Sequence, residues 1–164
     1  MATMQDFKDF MSAVSREAGL QTLIPSDDGL LQLRAGDIEM GMQFIPASNK
    51  IFLYTEIGIL PENAPVFLYR TLLSDQAVGY RTGGGSFALI KASSNLIYQL
   101  VWDFIPSEPG VFAQLLSDVL DFTEKWQKRL AAAMNGKEDI GLDGAQADSE
   151  TSFQNFSGLF TIRV

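Results

Sequence analysis

The chain has 164 residues, a length that supports one domain built around a single hydrophobic core. It is 46% hydrophobic and 20% charged, which is too apolar for a disordered chain. Cysteine and histidine are absent, so disulfides, thiolate and imidazole metal ligands, and Ser/His or Cys/His catalysis are excluded. The net charge of -8 disfavours nucleic acid and anionic membranes as partners.

The N-terminal sequence MATMQDFKDF contains acidic residues and lacks the apolar stretch of a signal peptide. No run of the sequence approaches the eighteen or so apolar residues that a membrane-spanning helix needs. From the sequence we therefore expect a soluble, cytoplasmic protein.

The first element predicted along the chain is an amphipathic helix over residues 3–18. Its apolar side chains follow a helical period at Phe7, Phe10, Met11, Val14 and Ala18. Thr3 is a suitable N-cap with Asp6 three residues later, and Gly19 provides the C-terminal stop.

Three strands with a two-residue period follow, at residues 31–34, 38–44 and 51–57. Turn sequences at 35–37 and 46–49 predict that they form an antiparallel meander. The third strand has large side chains on both faces, so we predict that both faces are covered. Met40 on the second strand and Met11 on the first helix fit either core filling or an adaptable binding surface.

A second helix is predicted from Pro65 to Gln76, and it is apolar around most of its circumference. Such a helix is buried on more than one side, which makes a second subunit a natural cover. Two further strands, at 87–89 and 96–102, and a long helix from about Ser107 to Met134 complete the pattern. The order α-β-β-β-α-β-β-α predicts an α+β fold with a twisted antiparallel sheet packed against helices.

The composition changes after this α+β domain, which we place at residues 1–135. Residues 136–152 read as an acidic linker, whereas the last twelve residues are apolar. We predict that this tail docks on a surface through Phe156, Leu159, Phe160 and Ile162. It either fills a binding groove or sheet edge, or merely completes the fold.

Motifs of catalysis and ligand binding are weak in this sequence. The triple glycine Gly83–Gly85 lacks the spacing of a phosphate-binding loop and is better explained as a connection between strands. The acidic pairs at 27–28 and 138–139 lack a calcium-loop pattern. We therefore predict no catalytic residue, no metal site and no cofactor.

Several segments, taken in order, resemble the type III secretion chaperones of the Tir-chaperone (CesT) family. They are FKDFMSAVSREAGL at 7–20, IFLYTEIGILP at 51–61, FLYRTLL at 67–73, SFALIKASSNLIYQLVWDFI at 86–105, and residues 112–126. The resemblance covers about Met4 to Met134 and is carried by the order and spacing of these segments. The chain departs from the family pattern in its C-terminal tail and at Ser74-Asp75, where the family commonly has an asparagine.

This resemblance implies a small acidic bacterial homodimer without enzymatic activity. It implies that the protein binds the N-terminal segment of a secreted effector in extended form and keeps that effector competent for secretion. Carried over by element, it implies client contacts at Phe7, Phe10, Met11, Leu31 and Met40. It implies dimer contacts at Phe67, Leu68, Leu72 and Tyr80. A regulatory protein of the same fold, which sequesters an intracellular regulator of secretion, is the alternative.

Overall fold

The structure is a computed structural model that describes residues 2–79 and 81–136. Three helices and five strands make up these residues. They are α1 (Met4–Glu17), β1 (Leu30–Ala35), β2 (Ile38–Ile45), β3 (Lys50–Ile59), α2 (Val66–Gln76), β4 (Ser86–Ile90), β5 (Asn95–Asp103) and α3 (Pro109–Met134). A short 3-10 turn, Ala77–Gly79, follows α2. The predicted α+β class and element order are confirmed.

Helix α1 begins where its sequence provides a capping box. The Thr3 hydroxyl accepts a hydrogen bond from the Asp6 backbone N–H at 3.2 Å, and the Thr3 N–H donates to the Asp6 carboxylate at 2.7 Å. Both bonds satisfy backbone or side-chain groups that an uncapped helix start leaves open. The helix ends before Gly19, whose φ of 64° is in the left-handed region that glycine adopts without strain.

The five strands form one antiparallel sheet in the order β1-β2-β3-β5-β4. The predicted meander of the first three strands is confirmed, with Leu33 paired to Met40 and Met40 paired to Thr55. Strand β5 then lies beside β3, which leaves β1 and β4 as the two edges of the sheet. We call the face that packs against α1 and α3 the inner face.

Two compact units divide the described chain, and β3, β5 and α3 each contribute residues to both. The first unit contains residues 1–56 and 99–124. Its core is a cluster of aromatic rings between α1, α3 and the inner face of the sheet. Phe7 stacks on Phe44 at 4.7 Å, and Phe10 lies 5.1 Å from Phe104 and 5.4 Å from Phe112, centroid to centroid. The hydroxyls of Thr55 and Thr123 share a buried hydrogen bond of 2.7 Å.

The second unit contains residues 57–98 and the chain from 125 onward. Within its described part, Phe87 of β4 packs against Trp126 of α3 with centroids 4.6 Å apart. The glycine-rich connection before β4 is fixed by Tyr98, whose hydroxyl donates to the Thr82 carbonyl at 2.6 Å. Its ring lies against Gly85, where a Cβ would overlap it. The triple glycine is thus a structural connection, but it joins the turn after α2 to β4 and does not link two strands as predicted.

One prediction about the sheet is wrong. The side chains of β3 alternate strictly, with Ile51, Leu53 and Ile57 buried on the inner face. Phe52 and Tyr54 point to the outer face and are 42% and 40% exposed. No helix of the first unit covers this face, because α1 and α3 both pack on the inner one. A large apolar side chain on both faces of a strand therefore did not mean burial on both faces.

Candidate interaction surfaces

The five residues expected to contact a client are core residues. Phe7, Phe10, Met11, Leu31 and Met40 are each at most 7% exposed. A partner cannot touch such side chains while the core stays closed. For the two methionines the structure favours core filling over an adaptable surface. Any client surface on these elements has to be formed by exposed neighbours.

The residues expected at a dimer interface divide into three groups. Leu68 and Leu72 are buried within the chain itself, and Phe67 is half-buried. Tyr80 lies outside the described residues, as do all four predicted tail residues, Phe156, Leu159, Phe160 and Ile162. The apolar character of α2 is thus partly explained by the core of its own chain.

The side of α2 opposite its buried residues carries a second set of apolar side chains. Leu68, Leu72 and Asp75 are its buried residues. Val66 and Leu73, which lie half a helical turn away from that side, are 68% and 71% exposed, and exposed Arg70 lies between them. We call Val66, Arg70 and Leu73 the α2 stripe. The i, i+4, i+7 spacing of these residues in the sequence was a signal that could have separated this side from the buried one.

A second exposed apolar surface lies on the outer face of the sheet, in the first unit. It consists of Phe52, Tyr54 and Val101, and Val101 is 42% exposed. The Lys50 ammonium lies 2.9 Å from the Asp103 carboxylate, which joins the ends of β3 and β5. Phe52 and Val101 each lie two residues beyond this ion pair on their antiparallel strands, so they are neighbours across β3 and β5. We call Phe52, Tyr54 and Val101 the outer-face patch.

The outer-face patch is supported from β2. Gly41 pairs with Tyr54, and a Cβ at Gly41 would overlap the Tyr54 ring. The ring therefore lies directly over the backbone of β2. Two residues further along these strands are Glu39 and Glu56, both exposed, and Arg34 of β1 pairs with Glu39, so the end of the patch beyond Tyr54 carries charges of both signs. The opposite end carries the ion pair of Lys50 and Asp103.

A buried carboxylate anchors the second unit beneath the α2 stripe. The Asp75 side chain is 4% exposed and lies 3.1 Å from Arg129 and 3.3 Å from Arg81. The Arg129 guanidinium also lies 4.2 Å from the centroid of the Trp126 ring. Asp75 is one of the two residues at which the sequence departs from the family pattern. Two arginines, from α3 and from the segment after α2, accommodate its charge.

Two further carboxylates have pKa values shifted by their surroundings. A hydrogen bond from Lys8 holds the pKa of exposed Asp27 below its usual value, and burial raises the pKa of Asp118 on α3. Residues 2–79 and 81–136 contain no group of three or more acidic side chains that could hold a metal ion. Over the same residues, no helix is both long and apolar enough to cross a bilayer.

An α+β domain that exposes apolar side chains on its sheet and on a helix is suited to binding other proteins. Comparison with protein families identifies which such domain it is. The model of the Tir chaperone protein (CesT) family matches residues 10–127, more than half of the chain. The chain therefore belongs to this family. A comparison with curated protein sequences finds no match.

Solved structures share the fold at low sequence identity. A chain of the ExsC–ExsE complex has a TM-score of 0.64 at 16% identity, over 79% of this chain and 97% of that one. A chain of the HopA1–SchA chaperone–effector complex has a TM-score of 0.61 at 16% identity, over 78% and 99%. A chain of the complex between the Yersinia pestis type III secretion chaperone SycH and a stable fragment of YscM2 has a TM-score of 0.59 at 15% identity, over 73% and 98%.

Proposed function

We propose that this protein is a type III secretion chaperone that binds the N-terminal segment of a secreted effector. It holds that segment extended and secretion-competent, without catalysis and without a cofactor. The observation that carries the proposal is the family match over residues 10–127. It is supported by the fold shared with a chain of a chaperone–effector complex. The bacterial cytoplasm, where an effector is held before export, is the expected location.

The client surface that we propose is the outer-face patch, in place of the buried residues beneath it. Phe52, Tyr54 and Val101 offer apolar area that is already in water and needs no opening of the core. Each aromatic ring exposes about 80 Å², taking about 200 Å² for a whole aromatic side chain. Covering that area with a client side chain stabilises the complex by about 2 kcal/mol per ring. A few aromatic side chains of this kind often carry most of the binding energy of an interface.

An extended client also requires a partner for its backbone. Strand β1 is an edge of the sheet, and no strand of residues 2–79 or 81–136 pairs with its outer side. Leu20 and Ile24, in the segment that leads into β1, are 52% and 75% exposed. We propose that a client strand pairs with β1, while its side chains use the exposed apolar groups nearby.

A homodimer through the α2 stripe completes the proposal. A helix whose inner side already lies in its own core presents Val66 and Leu73 to solvent at about 70% exposure. In a symmetric dimer the same stripe of both copies is buried at once, which doubles the gain from each side chain. The α2 stripe belongs to the second unit and the outer-face patch to the first. One surface can therefore serve the dimer while the other serves the client.

The test starts with the effector that co-purifies with the chain from its native bacterium. Its N-terminal segment is then titrated calorimetrically against the chain and against the Phe52→Ser/Tyr54→Ser variant. We expect the double variant to bind at least about 30-fold more weakly, from the roughly 2 kcal/mol that one ring contributes. Val66→Ser, in the other unit, is the matched control and should bind normally. Equal client affinity for the double variant and the parent would place the client elsewhere.

The same experiment separates escort from regulation. An escorted effector appears in the culture medium, and its export falls when the chaperone is deleted. A bound protein that never leaves the cell, but whose deletion changes expression of the secretion genes, would support the regulatory alternative instead.

A further inference from the structure

Strand β4, in the second unit, is a sheet edge that is incompletely covered. It ends the strand order β1-β2-β3-β5-β4, and its five residues, Ser86–Ile90, make it the shortest of the five described strands. Its last two residues, Leu89 and Ile90, are 49% and 45% exposed. They are adjacent, so their side chains point to opposite faces of the sheet. An apolar edge of this kind pairs readily with another strand, and proteins usually cover it.

The backbone of β4 is directed to receive such a strand at Leu89. The Phe87 N–H donates to the side-chain oxygen of Gln76 on α2 at 2.7 Å, so it points away from β5. Because alternate residues of an antiparallel strand face the same neighbour, the N–H and C=O of Leu89 also point away from β5. Gln76 therefore ends any added ladder at Phe87, and Leu89 is the position for a pair of hydrogen bonds.

Strand β4 and the last part of α3, both in the second unit, run in the same direction. Phe87, near the start of β4, packs against Trp126. The turn after β4 is joined to the end of β3 by a backbone hydrogen bond of 2.8 Å. At that end of β3, a Cβ on Gly58 would lie 2.9 Å from the Leu130 side chain. Along α3, the step from Trp126 to Leu130 therefore follows β4 from its start to its end.

The chain consequently leaves α3 level with the exposed end of β4. Met134, the last residue of α3, lies about 12 Å beyond Trp126 along the helix. Leu89 lies about 7 Å beyond Phe87 along the strand. The spacer, residues 137–152, spans about 20–24 Å as a flexible coil. The tail that follows it can therefore reach β4 without any change in α3.

We propose that residues 159–163 of the tail add to β4 of their own chain as an antiparallel strand, with Phe160 opposite Leu89. The antiparallel direction follows because the chain arrives at the end where β4 stops. In this register Leu159 lies opposite Ile90, so each exposed residue of β4 gains an apolar neighbour across the ladder.

The tail has the alternation of an edge strand. Phe160 and Ile162 share one face of it, whereas Thr161 and Arg163 share the other. The proposed register places the apolar pair on the face where Phe87 packs against α3, and the polar pair on the opposite face. A shift by one residue would exchange the two faces and place Arg163 against the helix.

Charge and tethering both favour this contact. Lys91 follows β4 directly, is exposed and forms none of the ion pairs among the described residues. The spacer that reaches this end of β4 carries five acidic residues and one lysine. A spacer of this length gives the tail an effective concentration on the order of 1 mM. A contact with a Kd of about 0.1 mM for the free peptide is then formed about nine-tenths of the time.

The bound tail closes the β4 edge and keeps it from pairing with strands of other molecules. All residues that the contact uses outside the tail and its spacer belong to the second unit. None of them belongs to the outer-face patch or to the α2 stripe. The inference therefore holds or fails independently of the proposed client and dimer surfaces.

The first experiment uses engineered cysteines, since the full chain contains none of its own. In the proposed register Ala88 lies opposite Thr161 with about 4.5 Å between Cα atoms, a distance that a disulfide spans. Ala88→Cys/Thr161→Cys should form an intramolecular disulfide at least about tenfold faster than Ala88→Cys/Ser157→Cys, whose second cysteine is about 13 Å further along the strand. Gln32→Cys/Thr161→Cys tests the other sheet edge, β1, and should be equally slow.

The second experiment leaves β4 unmodified and measures exchange of the Leu89 amide by NMR. The full chain is compared with Leu159→Ser/Phe160→Ser and with the control Gln154→Ser/Asn155→Ser. We expect about tenfold faster exchange at Leu89 in the first variant only, because an edge closed nine-tenths of the time is open ten times more often once the tail is released.

Several outcomes would overturn the inference. They are closure of Ala88→Cys/Thr161→Cys no faster than its register control, faster closure with Gln32→Cys, and a disulfide between two copies in place of one within the chain. The single variant Ala88→Cys linking two molecules would assign the edge to a second subunit and would also overturn it. Equal exchange at Leu89 in all three proteins would do the same.

Discussion

The substitution Leu73→Asp separates dimer assembly from folding. Leu73 is 71% exposed on the α2 stripe, whereas its neighbour Leu72 is 6% exposed and belongs to the core of its own chain. A carboxylate at position 73 stays in water in the monomer and is buried only when two stripes meet. A carboxylate at position 72 is buried in the protomer itself. The same substitution at two adjacent positions should therefore have different effects. At position 73 it should prevent dimerisation, and at position 72 it should prevent folding.

The magnitude follows from the exposed fraction of Leu73. Complete burial of a leucine side chain stabilises by about 1.5–3 kcal/mol, so covering the part that is exposed gives about 1–2 kcal/mol per copy. A symmetric dimer contains two copies, which together give about 2–4 kcal/mol. Leu73→Asp loses this and leaves two unpaired carboxylates at the interface, which costs several kcal/mol more. The dimer Kd should therefore rise by more than about 1,000-fold.

Sedimentation velocity at about 10 μM measures the mass of the assembly, and thermal unfolding followed by circular dichroism shows whether the chain is folded. We expect the parent at twice the chain mass and Leu73→Asp at the chain mass with native helix content. Leu72→Asp should lose its folded signal, because an unpaired buried carboxylate consumes much of the roughly 5–15 kcal/mol that stabilises a domain. Leu20→Asp, at an exposed leucine of the first unit, is the control and should remain dimeric. A dimer that survives Leu73→Asp, or a parent that is monomeric at this concentration, would refute the reasoning.

Two further predictions concern the second unit. Burial raises the pKa of the Tyr98 phenol above its ordinary value of 10.0, so the stability it contributes is complete below that pH and is lost as the pH rises further. Tyr98→Phe should lower the free energy of unfolding by about 1 kcal/mol at neutral pH, because the hydrogen bond to Thr82 is lost. Urea titrations above pH 10 should show that this free energy falls less steeply with pH than in the parent. An equally steep fall in both proteins would contradict the prediction. Asp75→Asn keeps the shape but removes the charge between two arginines, and should lower the free energy of unfolding by about 2 kcal/mol, whereas Asp103→Asn at an exposed ion pair should change it by less than about 1 kcal/mol. Equal losses of unfolding free energy in the two variants would show that burial does not strengthen the contribution of Asp75 to stability.

The elements were predictable because each is encoded by local spacing. The helical period that begins at Phe7 and the capping residue Thr3 predict α1 to within one residue at each end. The turn residues predict the β1-β2-β3 meander. The placement of β5 beside β3 was not predictable in this way, because it depends on contacts between segments far apart in the chain.

The surfaces were harder to predict because a period shows which residues share a face and does not show what covers that face. The stripe of Phe7, Phe10 and Met11 fits a client groove and a protein core equally well, and the structure places it in the core. On β3 the same ambiguity had the opposite outcome, since Phe52 is in water. Only tertiary packing decides between these outcomes. The C-terminal tail lies outside the described residues, so the prediction that it docks stays a prediction.

The absence of a side chain at Gly41 has a thermodynamic consequence for recognition. The Tyr54 ring rests on the bare backbone of β2, so folding has already restricted its rotation. Immobilising a mobile side chain at an interface costs about 0.5–1.5 kcal/mol, and a ring that is held before binding avoids most of that cost. Apolar contact with the face of the ring does not require a particular hydrogen-bonding group on the partner. Affinity from such a ring is therefore available to many apolar sequences, and selectivity among them has to come from the charges at the ends of the patch.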